Sequence, residues 1–377
     1  MCTTHQADCL AKLNAILEES IAAGVPGLSV EIASSRGHWT LTAGVSDGLQ
    51  AIEPTHVFGI GSITKVFTAV VIFQLIEEGK LHLSDTVCRI LGSEIYRDID
   101  DAAEATVAQL LSHTAGIDSW EDDSLWIREG RGSKLDPTHI WDKVEPLGYI
   151  RRPKITAPSR GDWYYANTNY TLLGLMIEKI TQSTAEAEIR RRILEPLAME
   201  HTFLEGFEPP NQGKLAHRYQ WATDTFRDTA GICPSFPGAR DGRLIDCTKS
   251  NLSVEWVAGG MVSSASDLTK FAVALRDGRL LSSESLDIMT TWRPATDSSE
   301  MGHGIFRRRD HGTNAWLGHF GGVLGFTGAL WWKEEGDCVI SVLSNVGTMH
   351  AGKVPSSAAH VIIDSNILEI ASQLAAA

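Results

Sequence analysis

Ser62-Ile63-Thr64-Lys65 sets a hydroxyl and an amine three residues apart. On a helix that spacing puts both side chains on one face, within reach of each other. A serine hydroxyl becomes a useful nucleophile once a neighbouring base takes its proton, and a partly buried lysine with a lowered pKa can be that base. A helix N-terminus also offers free backbone N–H groups to an oxyanion. The plain alternative is that Ser62 caps a helix and Lys65 is a solvated surface residue.

Two further stretches carry chemistry. In Tyr165-Ala166-Asn167 a tyrosine beside a lysine can act as phenolate or proton shuttle, and an asparagine offers a donor and an acceptor to an amide substrate. Alternatively the tyrosine packs in a loop and the asparagine caps a helix beginning near Thr171. In Gly318-His319-Phe320-Gly321-Gly322 the glycines let a substrate backbone approach a strand edge, and His319 could donate to a substrate carbonyl or carboxylate. A half-buried packing histidine is the competing reading.

The elements that must position these residues show in the apolar pattern. Leu10, Leu13, Ile16, Leu17 and Ile21 predict an amphipathic helix ended by Gly24-Val25-Pro26-Gly27. Strands are predicted around Leu28 to Ile32 and Trp39 to Ala43, and again at Phe326 to Trp332 and Val339 to Leu343. Val66 to Leu75 predicts a long helix with Gly79 as its C-cap, and Ser356 to Leu374 a closing helix. Between about 82 and 250 short helical segments alternate with loops rich in Trp, Pro and Gly. The expected architecture is an α/β domain built from both termini, 1–81 and 251–377, around a mainly helical insertion domain, 82–250.

Composition narrows the function. With 33 Lys plus Arg against 47 Asp plus Glu, the 377-residue chain carries a net charge of -14, which disfavours nucleic acid and anionic membrane surfaces as partners. No apolar run is long enough to span a bilayer. The first residues lack the basic and apolar regions of a secretory signal, so a cytoplasmic protein is expected. The six cysteines show no metal-ligand spacing, and neither a metal nor a cofactor is expected.

Serine-x-x-lysine, tyrosine-x-asparagine and histidine-x-glycine, in this order and at these separations, resemble the penicillin-recognising serine hydrolases: class C β-lactamases, DD-peptidases, D-amino-acid amidases and family VIII carboxylesterases. Phe58-Gly59-Ile60-Gly61, Leu110 to Ile117 and Ala258 to Leu268 fit the same pattern, so the resemblance runs from about residue 10 to the last helix. It implies a β-lactamase/transpeptidase-like fold, an antiparallel sheet flanked by helices, with the active site in a cleft between domains. It also implies an acyl-enzyme mechanism with Ser62 as nucleophile, Lys65 and Tyr165 sharing the base role, and the N–H groups of Ser62 and Gly322 as oxyanion hole. Asn167, His319, Phe320 and Gly321 would contact the substrate. Phe320, where a small hydroxyl residue is common, favours a neutral or apolar leaving group, and histidine in place of lysine at the third motif leans toward D-amino-acid amides or short peptides. The alternatives are a small-molecule carboxylesterase with weak β-lactamase activity, and an inactive relative used for binding.

Other features are set aside. His113 in Ser112-His113-Thr114-Ala115-Gly116 reads as packing and loop bracing, because the resembling families use that stretch structurally. Gly347 to Lys353 nearly spells a phosphate loop but continues into Val354-Pro355. No Gly-x-Ser-x-Gly occurs. Of the 11 tryptophans, Trp120, Trp126, Trp141 and Trp316 lie near the motifs and one or two could wall a pocket. Glu121-Asp122-Asp123 reads as a solvated loop that could attract a substrate amine. Specificity is expected to lie in 117–142 and 221–256.

Overall fold

The computed structural model describes residues 4–210, 212–233, 239–240, 242–312 and 314–377. Helix α1 (Thr4–Ala23) leads into a hairpin of β1 (Gly27–Ser34) and β2 (Gly37–Gly44). The short strand β3 (His56–Gly59) then delivers the chain to a single 3-10 turn, Gly61–Ile63, and helix α2 (Thr64–Glu77). Helices α3 (Val107–Leu111), α4 (Ser124–Gly130) and α5 (Asn167–Thr181) stand out in the middle of the chain. After β4 (Met261–Ser263) and α6 (Ala265–Arg276) come six strands: β5 (Arg293–Thr296), β6 (Ser299–Met301), β7 (Phe306–Arg309), β8 (Ala315–Val323), β9 (Phe326–Lys333) and β10 (Val339–Ser344). Helices α7 (Ala358–Asp364) and α8 (Ile367–Ala376) end the chain.

Both chain ends build one antiparallel sheet of eight strands, in the order β5-β6-β7-β8-β9-β10-β1-β2. The junction between the ends is β1 against β10, with Val30 opposite Val342 and Ile32 opposite Ile340. These strands are buried nearly throughout, their polar Ser29, Glu31 and Ser341 included, because helices cover both faces. On one face α1, α7 and α8 pack, with the Ala358 amide donating to Thr327 Oγ1 of β9. The other face takes α2 and α6, whose Phe67 and Phe271 rings stack at 3.7 Å.

Helix α2 is apolar on every side because it lies wholly inside, between the sheet and α5. It ends at Gly79 as its pattern predicts: Gly79 has φ +67°, and the Gly79 and Lys80 amides return to the carbonyls of Ile76 and Leu75. That is a Schellman cap, in which only glycine adopts the left-handed angle without strain.

Three expectations shift. The histidine-glycine stretch lies inside β8 rather than before a strand, because five small or polar positions hide its period-two pattern. The closing helix breaks at Ser365-Asn366 into α7 and α8. Strands β5 to β7 carry Arg, Pro, Ser and Thr and show no alternation, as suits a polar sheet edge. Pro234, Pro237 and Gly238 of the expected specificity loop lie outside the described residues. Among the described residues no helix is long and apolar enough to cross a membrane.

Candidate active site

Ser62 sits in the 3-10 turn at the head of α2, and it does not cap the helix, which has no side-chain cap bond. Its Oγ accepts from Lys65 Nζ at 3.0 Å. Lys65 is fully buried, not solvated. Its Nζ also donates to Asn167 Oδ1 at 2.6 Å and to the Ala258 carbonyl at 2.7 Å. Desolvation pulls the amine down from its ordinary range to about 7, against the upward pull of Glu121 and Glu255. A lysine in that range can be neutral near physiological pH and so accept a proton from a hydroxyl.

The approach of the turn to the sheet is very close. A Cβ on Gly61, whose φ is +54°, would stand 2.4 Å from the Gly322 amide nitrogen, and one on Gly321 would stand 1.9 Å from the Ile60 carbonyl oxygen. Glycine at both positions therefore lets the turn before Ser62 press directly on the β8 backbone at Gly321 and Gly322. From the other side, the Ile60 amide donates to the Met261 carbonyl at 2.9 Å, and the Met261 amide to Thr64 Oγ1 at 3.3 Å. The Ala258 to Met261 segment thus holds both the serine turn and the lysine.

Tyr165 comes from the loop before α5. Burial pushes its pKa well above the ordinary range, against a smaller downward pull from the Ser62 side chain, and its hydroxyl is buried without a hydrogen-bond partner. His113, at φ +57°, fixes it in place. The Tyr164 amide donates to the His113 carbonyl at 2.8 Å, the Ala166 amide donates to His113 Nδ1 at 3.1 Å, and the two rings stack at 4.2 Å. Because Nδ1 accepts, the proton of the neutral ring is on Nε2. His113 braces the loop, as its sequence context suggested.

Asn167 is the first residue of α5, not its cap, and both ends of its amide are engaged: Oδ1 takes Lys65, and Nδ2 donates to Glu121 Oε2 at 2.6 Å. In this arrangement the Asn167 amide holds the lysine. Glu121 is likewise buried rather than solvated. The Asn167 amide donates to Ser119 Oγ and the Trp120 amide to Thr168 Oγ1, which ties the Ser119–Glu121 segment to α5. Arg131 Nη2 bridges Glu121 Oε1 and Glu255 Oε1, the latter at 2.7 Å. Loss of hydration pushes the Glu121 carboxyl up to about 7, opposed by Arg131. Sequence reasoning missed Arg131 and Glu255, since nothing local marks a pair 124 residues apart.

His319 is buried beside Tyr165, the ring centroids 6.2 Å apart. Phe320 is not with it. Period-two alternation in β8 turns its ring to the side opposite His319, edge-on to Trp331 at 5.0 Å and under the Arg308 guanidinium at 5.6 Å. Trp120, Trp126 and Trp316 are fully buried, and Trp141 nearly so. The aromatic groups next to Tyr165 and His319 are instead Phe306 and, beyond it, Trp163.

Proteins of known structure share this fold. A D-stereospecific amidohydrolase from Streptomyces sp. superposes with a TM-score of 0.78 at 28% identity, over 89% of this chain and 94% of that one. The D-amino acid amidase from Ochrobactrum anthropi SV3 complexed with D-phenylalanine superposes with a TM-score of 0.78 at 25% identity, over 97% and 98%. The Bacillus subtilis (strain 168) "Putative penicillin-binding protein PbpX" is 27% identical over 295 residues, which are 78% of this chain and 63% of that longer protein. The fold is that of the β-lactamases and transpeptidases. Residues 13–360 match the family profile described as Beta-lactamase, and the chain belongs to the beta-lactamase family of serine hydrolases.

Proposed function

We propose that the protein hydrolyses amides or short peptides of D-amino acids through an acyl-Ser62 intermediate. The observation that carries the reading is the buried Lys65 amine bonded to the Ser62 hydroxyl, with the buried Tyr165 ring beside that amine. Lys65 and Tyr165 together take the Ser62 proton as Oγ attacks the substrate carbonyl carbon. The negative oxygen that forms is held by the N–H groups of Ser62 and Gly322. When the C–N bond breaks, the same proton passes to the departing amine, leaving an ester on Ser62. Water then attacks that ester, gives its proton to the same pair, and releases the acid and free Ser62. Similarity to a D-amino acid amidase and a D-stereospecific amidohydrolase along nearly the whole chain supports the D-amino-acid substrate class.

The test is kcat/KM for a D-alanine anilide against a p-nitrophenyl short-chain ester and against the L-alanine anilide, with Ser62→Ala as blank. Preference for the D-anilide is expected, together with covalent labelling of Ser62 by a serine-directed phosphonate. Rapid ester turnover with negligible anilide cleavage would make the protein a carboxylesterase.

A further inference from the structure

The group that returns a proton to a departing amine must touch it, so on the acyl-Ser62 reading the amine leaves beside the Tyr165 hydroxyl. The surroundings of Tyr165 therefore describe the leaving group. Its ring is stacked on His113 on one side. Phe306 lies near-parallel to it at 6.5 Å, edge-on to His319 at 4.9 Å and to Trp163 at 6.4 Å. Phe306 and Trp163 are each half-buried.

His319 has a defined polarity. Its Nδ1 faces the Phe320 backbone carbonyl oxygen, which only accepts, so Nδ1 carries the hydrogen. Nε2 of a neutral ring is then a lone pair, and here that atom is buried with no partner, in a residue only 2% exposed. Burial, with Lys65 nearby, keeps the ring neutral by drawing its pKa down to about 3. His319 is thus an acceptor, which corrects the expectation that it donates to a substrate carbonyl or carboxylate. Arg307 is paired with Glu300 and Glu334, and Arg308 lies over the Phe320 and Trp331 rings, on the side of β8 opposite His319.

We propose that the Tyr165 side of the cleft is a leaving-group subsite for an uncharged amine, His319 Nε2 accepting the scissile amide N–H and Phe306 with Trp163 covering its aryl or hydrocarbon part. An amide presents that N–H, whereas an ester oxygen or an N-methylated amide presents no donor. A C-terminal carboxylate on the leaving group would meet aromatic carbon.

The proposal rests on the acyl-Ser62 reading and is tested with one acyl group, D-alanyl, on three leaving groups: aniline, N-methylaniline and p-aminobenzoate. The parent anilide should exceed each of the others by about tenfold or more in kcat/KM, the cost of an unmet buried acceptor or a desolvated charge. In His319→Phe the preference for aniline over N-methylaniline should collapse toward one, and His319→Gln, which keeps an acceptor, should restore part of it. Phe306→Lys should move the preference toward p-aminobenzoate. Equal turnover of the anilide and the carboxylate-bearing anilide, or a His319→Phe enzyme that keeps the N–H preference, overturns the subsite. Absence of turnover on all three, with no phosphonate adduct at Ser62, overturns the acyl-Ser62 reading itself.

Discussion

Glu121→Gln should move the acidic limb of the kcat/KM profile downward, and Arg131→Gln should move it upward. The limb reports loss of the unprotonated Lys65 amine, whose pKa of about 7 places the fall in activity below neutral pH. Glu121 lies one asparagine amide away, through bonds of 2.6 Å on either side. Adding the width of the amide puts the carboxylate about 7 Å from the ammonium. With Glu121 ionised, Coulomb's law at that separation and an effective dielectric of about 20 gives at most roughly 2 kcal/mol, or between one and two pH units, and less where that carboxyl takes up a proton. Removing the carboxylate removes that support for the ammonium. The amide geometry acts in the same direction. If the introduced glutamine keeps its oxygen on Arg131, Asn167 must turn its NH2 toward Lys65, and only an unprotonated amine accepts it. Arg131→Gln leaves Glu121 and Glu255 without their shared cation, so the lysine keeps its proton to higher pH. The assay is kcat/KM for a D-amino-acid anilide from pH 5 to 9, with thermal melts to establish folding. If the two variants move the limb in the same direction, or neither moves it, the electrostatic argument is refuted and the cluster is a packing feature.

Tyr165→Phe should lower the acylation rate by about 10²- to 10⁴-fold in single-turnover assays while the thermal midpoint stays within a few degrees, since only a hydroxyl without a firm hydrogen bond is removed. Gly321→Ala should abolish turnover and lower the melting temperature measurably, because its Cβ would stand 1.9 Å from the Ile60 carbonyl oxygen and must push the Ser62 turn off the sheet. Addition of a chelator should leave turnover unchanged, and a loss restored by zinc would contradict the metal-free expectation.

The sheet was legible where strands are long and apolar: β1, β2, β9 and β10 all show in the residue pattern, and finding strands at both ends pointed to one sheet built from both termini. The edge was not. Strands β5 to β7 gain their pairing from a neighbour rather than from an apolar face, and the pattern of β8 is broken by Gly318, Gly321 and Gly322. Gly321 is needed where the serine turn presses on the strand, so a residue that hides the strand also shapes the site. The start of α5 was misplaced for a related reason: Asn167 looks like a cap, but its amide is drawn to Lys65 and Glu121, 102 and 46 residues earlier in the chain.

The three motifs were legible because each is a short run whose order along the chain is itself a signature. Their electrostatics were not, because desolvation belongs to the folded volume and leaves no local trace. Glu121 in an acidic triplet reads as solvated, yet Trp120 and Ser119 are bonded to α5 and carry it inward, where Arg131 and Glu255 meet it. The same burial that lowers the Lys65 pKa raises that of Glu121, and the Asn167 amide stands between the two groups. A lysine buried without those carboxylates would be driven further from its ordinary range, and one buried without Arg131 would be held protonated by them. The reactivity of Ser62 is thus set by a balance of four buried charges, only one of which lies in a motif.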